Sequence, residues 1–185
     1  MNNIKIAEAK NYCLKRLNNY EGKIGKRLLI QMMLSIEKKV IQYEETNTPF
    51  NLEPFLIGIY FHDLGRILSD GDDHPELSYK LFDEYKNDKD FSLEEIEIIK
   101  DCCLNHGSSS TPITKEGKYL QILDKSIVFE PEIILIVLEE LVEKEGSWEK
   151  GYKKFIEKMN KWHTKIPDQK VRNKFQTTLD YLNKL

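Results

Sequence analysis

Leu52-Glu53-Pro54-Phe55-Leu56-Ile57-Gly58-Ile59-Tyr60-Phe61-His62-Asp63-Leu64-Gly65-Arg66 is the stretch on which the reading of this chain turns. Phe55, Leu56, Ile57, Ile59, Tyr60 and Phe61 leave no polar side, and a helix that is apolar nearly all round belongs inside a protein. The pattern predicts a central buried helix over about Leu52 to Leu64. At its end stand His62 and Asp63, an imidazole beside a carboxylate, with Gly65 where the pattern stops. Two such donors at a helix end can lean toward one point, which makes that point a candidate metal site.

The flanking sequence supplies more helices. Ile4, Ile6, Ala7, Cys13, Leu14 and Leu17 recur at helical spacing over residues 4 to 19, until Gly22 and Gly25 break the pattern. A second helix is expected from Lys26 to Glu45, its stripe of Leu28, Leu29, Met32, Met33, Ile36 and Val40 lying opposite Lys38, Lys39 and Gln42. Pro49, in Thr46-Asn47-Thr48-Pro49, ends it, because proline lacks an N–H and biases the residue before it out of the helical region.

Downstream of the buried helix, Asp73 as N-cap, Pro75 in the first turn and Glu76 three residues after the cap open another helix. Its inward face carries His74, Leu77, Ser78, Leu81 and Tyr85. Ser92 with Glu95 is a capping box for the next, whose stripe of Ile96, Ile99, Cys102 and Cys103 ends at His106. Gly107 to Thr111 has the composition of a flexible loop, and a helix from Tyr119 to Phe129 carries Asp124 among apolar neighbours. Three more helices follow, from Pro131 to Glu145, from Trp148 to His163, and from Pro167 to near Leu185. With no strand-like alternation, the expected fold is all-α, a single compact bundle of about eight helices spanning residues 1–185.

Bulk properties narrow the function. At 185 residues, 40% hydrophobic and 32% charged, the chain suits one globular domain. Lys plus Arg number 28 against 31 acidic residues, and a net charge of −3 argues against long-range capture of nucleic acid or anionic lipid. Cys13, Cys102 and Cys103 are an odd number, as expected of a reduced cytoplasmic protein, and the polar N-terminus lacks the apolar region of a secretory signal. Ile133 to Leu138 is far shorter than the roughly 20 apolar residues that span a bilayer. Trp148, Tyr152, Phe155, Met159 and Trp162 form a packing stripe, and Lys150, Lys153, Lys154, Lys158 and Lys161 on the same helix are expected to be a solvated face rather than a nucleic-acid surface.

His62, Asp63, His74, His106 and Asp124 remain as polar residues on inward faces. Buried carboxylates and imidazoles are costly unless paired or metal-bound, so the set suggests a shared cation. Mixed His and Asp ligands suit Mn²⁺, Fe²⁺, Co²⁺, Ni²⁺, Zn²⁺ or Mg²⁺. Each residue also has a plainer reading: His62-Asp63 as a helix-end pair, His74 as a first-turn residue, His106 as a C-terminal dipole partner, Asp124 as a partner for Lys125. Cys103-x-x-His106 has zinc-like spacing, but no second pair completes a tetrahedral site. His163 has no partner in the pattern and is expected to be structural.

The order His62-Asp63-Leu64-Gly65-Arg66, His74-Pro75-Glu76-Leu77-Ser78, Asn105-His106 and Leu120-Gln121-Ile122-Leu123-Asp124-Lys125 resembles the HD-domain superfamily of metal-dependent phosphohydrolases. The similarity covers roughly residues 20 to 130, with the helices of 131 to 185 expected to pack on that core. It implies a divalent metal held by His62, Asp63 and Asp124. It also implies roles for His74 and His106 as ligands of a second metal or as contacts to the substrate phosphate. Asp63 and Arg66 are then the catalytic candidates, Arg66 holding a phosphate oxygen of a nucleotide or other small phosphorylated metabolite. The family pattern starts with a His on the preceding helix, whereas this chain offers Leu28, Leu29, Gln31, Met32 and Met33 there; Gln31 is the one residue of these able to lend an oxygen. That departure leaves an alternative expectation, a degenerate domain that binds nucleotide, metal or a protein partner without turnover, its C-terminal helices serving as a homodimer or partner surface.

Overall fold

A computed structural model describes residues 3–21, 25–44, 50–69 and 71–184. Gly22, the end of the second helix at Glu45, the terminator at 46–49, Asp70 of the loop before His74 and the final Leu185 lie outside the described residues. Among the described residues there are nine α-helices, one more than the count expected, and no strand. They are α1 (Asn3–Asn18), α2 (Lys26–Glu44), α3 (Leu52–Phe61), α4 (His74–Lys86), α5 (Leu93–Leu104), α6 (Lys115–Ser126), α7 (Pro131–Glu145), α8 (Trp148–Thr164) and α9 (Gln169–Leu182). Two 3₁₀ turns occupy Leu64–Ile67 and Ile127–Phe129. The chain groups into two units, Met1–Gln121 and Ile122–Leu185, with the division inside α6.

In the first unit α3 is the central element, as its composition demands. Every residue from Pro54 to Phe61 is buried, and α1, α2, α4 and α5 all pack on it. Tyr60 donates to Glu37 of α2 at 2.7 Å, and Lys10 of α1 reaches the same carboxylate, so three helices share one half-buried polar knot. α3 and α5 run side by side in the same direction. Lys5 bridges Glu53 and Glu95 at their starts, at 3.3 and 2.9 Å, and the rings of His62 and His106 stand 5.1 Å apart at their ends. The pair is in tight contact at Gly58, where an added Cβ would lie 2.8 Å from Cys102 Cβ. Glycine permits that approach because it carries nothing to collide.

α3 stops at Phe61, a turn earlier than periodicity suggests, and the chain tightens into the first 3₁₀ turn. The cause is tertiary. Gly65 N–H donates to Ser78 Oγ of α4 at 2.8 Å, and a Cβ on Gly65 would sit 2.2 Å from the His74 carbonyl oxygen, so the turn is pressed onto α4. The Ser92–Glu95 capping box forms as expected, whereas Asp73 stands at the N-cap of α4 without a cap bond and accepts instead from Ser69 Oγ at 2.6 Å. α6 begins at Lys115 rather than Tyr119 because Thr114 Oγ1 accepts from Gly117 N–H at 2.9 Å and acts as its cap.

The second unit is built on α7, α8 and α9. Gly146, in the left-handed region at φ 64°, ends α7, and Ser147 caps α8. Gly151 lets the two helices touch, since a Cβ there would lie 2.5 Å from Val142 Cα. α9 begins on the side-chain cap of Asp168 rather than on Pro167. Phe155 and Met159 of the aromatic stripe are fully buried, while Trp148 is exposed and stacks on Tyr152. His163 is buried with Nε2 2.9 Å from the Arg172 carbonyl, a structural tie to α9. No described helix is long and apolar enough to cross a membrane.

Candidate metal centre

The site of the first unit is made where helix ends meet. His62 follows the last residue of α3 and its N–H donates back to the Gly58 carbonyl at 2.9 Å. Asp63 precedes the 3₁₀ turn that carries Arg66. His74 is the first residue of α4, and His106 lies just beyond α5 after Asn105. The contact of Gly65 with Ser78 and His74 fixes α4 against the turn and so fixes His74 beside Asp63.

Around Asp63 the groups are close. Its Oδ1 lies 2.9 Å from Arg66 Nε, 3.2 Å from His74 Nε2 and 3.5 Å from His106 Nε2, while its Oδ2 is 3.8 Å from His62 Nε2. His74 Nε2 and His106 Nε2 stand 3.2 Å apart. One donor atom from each of Asp63, His74 and His106 lies within 4.8 Å of the other two. Despite these approaches, Asp63 Oδ1 and Arg66 Nε are buried atoms without an angled hydrogen bond. Burial works against ionising Asp63, yet the charges of His62 and Arg66 and the contacts of His106 and His74 outweigh it and hold the carboxyl well below its ordinary value.

The other ring nitrogens determine what these imidazoles offer. His62 Nδ1 lies 2.7 Å from the Ile59 carbonyl, His74 Nδ1 2.9 Å from the Gly71 carbonyl, and His106 Nδ1 2.9 Å from the Cys103 carbonyl. A carbonyl oxygen only accepts, so each Nδ1 carries a hydrogen, and each ring, when neutral, presents its Nε2 lone pair. Three Nε2 atoms and a carboxylate therefore converge on one point, and the lone pairs of the neutral rings are what a cation there would use. Backbone carbonyls orienting the far side of imidazoles are the usual support of metal-ligating histidines. The donor set fits a divalent metal.

Two groups that the sequence does not single out hold this arrangement together. The buried Asp101 carboxylate accepts from Asn105 Nδ2 at 2.7 Å, from Thr114 N–H at 2.9 Å and from Thr114 Oγ1 at 2.6 Å. Gln121 Nε2 donates to the Gly107 carbonyl at 2.6 Å and the Ser110 carbonyl at 3.0 Å. The loop after His106, expected to be flexible, is thus tied to α5 and α6. Asp101 sits four residues before Asn105 on one helix face, the only local signal of its role.

On the α2 side, Leu29, Met32 and Met33, with Leu17 of α1, line a pocket against His62 and Asp63 with room for about one water molecule. Gln31 is not among the lining residues; its amide donates to Ser35 Oγ at 3.3 Å. Cys103 is fully buried, and burial, followed by the charge of Asp63, pushes its thiol up, so it packs as a neutral group. Asp124 belongs to the second unit, where it is buried and bonded to Lys125 Nζ. It follows Gln121 by three residues on α6, a spacing that keeps both on one side of that helix.

Residues 22–127 match the family model described as the HD domain. No curated protein and no solved structure matches the chain.

Proposed function

The chain belongs to the HD-domain family, and we propose that it is a metal-dependent phosphohydrolase acting on a phosphate ester of a nucleotide or another small phosphorylated metabolite. The observation that carries this reading is the convergence of the three Nε2 atoms on Asp63 beside Arg66. A divalent ion, when bound there, supplies a water of lowered pKa and neutralises charge on a phosphoryl oxygen. Asp63, with His62 and the family-pattern ligand Asp124, would hold the ion, and His74 and His106 would be its further ligands or touch the phosphate. Arg66 binds a phosphate oxygen, since a guanidinium can pair with Asp63 through Nε and still present its terminal N–H groups. Asp101 and Gln121 keep His106 aimed at the site.

A second reading, binding of a phosphorylated ligand without turnover, is favoured by one observation: the described α2 residues that line the site, Leu29, Met32 and Met33, carry no nitrogen or oxygen side-chain donor. The two separate by measuring phosphate release from a panel of nucleotides and sugar phosphates with Mn²⁺, Co²⁺, Ni²⁺ or Mg²⁺. Release that is lost in Asp124→Ala together with bound metal supports the hydrolase. Metal bound at full stoichiometry with no release from any member of the panel supports the binder.

A further inference from the structure

We propose that the turn from Gly107 to Ser110 is a phosphate-binding lip, with the N–H and hydroxyl groups of Ser108 and Ser109 as donors to the phosphoryl oxygens. The proposal rests on the phosphate-ester reading above and goes further, assigning substrate contacts to residues outside the histidine and carboxylate set.

The turn starts at the residue after His106 and closes where Ser110 N–H donates to the Gly107 carbonyl at 3.2 Å. That carbonyl also accepts from Ser110 Oγ at 2.7 Å and from Gln121 Nε2 at 2.6 Å, and the same amide donates to the Ser110 carbonyl at 3.0 Å. Beyond the turn, the buried Asp101 carboxylate accepts from the N–H groups of Ile113 and Thr114 at 3.2 and 2.9 Å. Yet the two residues at the centre of all this fastening, Ser108 and Ser109, are exposed. Ordering an exposed stretch of Gly and Ser costs conformational entropy and buries nothing of its own. The fastening also aims the donors. Across a trans peptide bond C=O and N–H point in opposite directions, so drawing the Gly107 carbonyl onto the buried Gln121 amide turns Ser108 N–H outward, away from α6. The N–H groups of Ser108 and Ser109 have no acceptor among the described residues. Successive backbone N–H groups in a turn make an anion-binding concavity, and the two hydroxyls add donors that a phosphoryl oxygen accepts. Ser108 is two residues from His106, a span of at most about 7 Å, so these donors stay beside the imidazole that reaches Asp63.

The test is calorimetric titration of inorganic phosphate into the full chain, loaded with Mn²⁺ and freed of excess metal. Ser108→Pro deletes the N–H and the hydroxyl together and suits the second position of a turn, where proline is favoured. Hydrogen bonds to a charged partner are strong enough that their loss should weaken phosphate binding about tenfold or more, with Mn²⁺ affinity unchanged. Unchanged phosphate affinity in Ser108→Pro overturns the proposal, and so does a parent chain that binds no phosphate. If Ser108→Pro does not fold or loses Mn²⁺, the double variant Ser108→Ala, Ser109→Ala carries the comparison, since it removes the hydroxyls and leaves the backbone alone. Weaker phosphate binding at full Mn²⁺ occupancy is expected of it, and unchanged binding overturns the proposal. Phosphate held through the two serines with no release from any ester leaves this inference standing and removes the hydrolase. Ester hydrolysis whose KM is the same in parent and variants keeps the hydrolase and removes this inference.

Discussion

The parallel helices α3 and α5 carry a polar cluster at each end, and the two clusters differ in how completely their groups are matched. At the starts, Lys5 lies between Glu53 and Glu95, and Glu95 also closes a capping box with Ser92, so each charge there has an opposite charge or a hydrogen-bond donor. At the ends, His62, His106 and the neighbouring His74 turn their Nε2 atoms toward Asp63, with Arg66 beside them, and Asp63 Oδ1 is buried without a hydrogen bond of good geometry. A matched cluster stabilises a fold; a mismatched one is a place for something else to bind. The same two helices thus provide a strut at one end and a socket at the other.

The largest effect that tests this contrast is expected from Asp63→Asn. The amide has nearly the shape of the carboxylate without its charge, and Asp63 is the group that every imidazole of the socket approaches. Metal affinity should fall by about a hundredfold or more, measured by calorimetric titration with Co²⁺ or Mn²⁺. Because its surroundings hold the Asp63 carboxyl well below the ordinary value, urea unfolding of the metal-free variant at pH 7 should also show a loss, and metal affinity is compared on the folded protein below the unfolding transition. Retained affinity would mean that the socket is only another strut.

Gly58→Ala strikes the contact between the two ends. Its Cβ would come within 2.8 Å of Cys102 Cβ and 2.9 Å of Cys102 Sγ, and Cys102 is itself fully buried, so the helices must part. Overpacking of this kind costs about 1–3 kcal/mol, read as a lower urea midpoint. Because the separation also moves His62 away from His106, weaker metal binding should accompany it. A loss of stability with unchanged metal affinity would show that the socket does not depend on the α3–α5 spacing.

Much of this was legible in the sequence, and the exceptions share a cause. Helix type followed from apolar spacing, and the central place of α3 from its lack of a polar side. His62-Asp63, His74 and His106 were found because each ends or begins an apolar stripe, and the structure brings all four together. Gly58, Ser78, Asp101 and Gln121 gave little signal because, Asn105 beside Asp101 excepted, their partners are 11 to 44 residues away in the chain and meet them only in the folded state. Gln31 illustrates a different limit. The apolar stripe of α2 is broad, and only packing against α1 and α3 decides that Leu29, Met32 and Met33 turn toward the site.

The smallest effect belongs to the matched end. Burial opposes ionisation of Glu95, but Lys5 and the Ser92 cap outweigh it, and its folded pKa lies below the ordinary value of 4.5. Such a group adds stability in full above 4.5 and loses it as pH falls through the lowered folded value. Glu95→Gln should therefore be less stable than the parent at pH 7, by no more than about 1 kcal/mol for a half-buried pair near the surface. The difference between the two urea midpoints should shrink as pH is lowered past 4.5, because the parent then carries a neutral side chain too. Metal affinity at pH 7 should be equal in the two proteins. A gap that persists below the folded pKa would assign the role of Glu95 to its shape and hydrogen bonds rather than its charge, and a change in metal affinity would mean that strut and socket are coupled along α5.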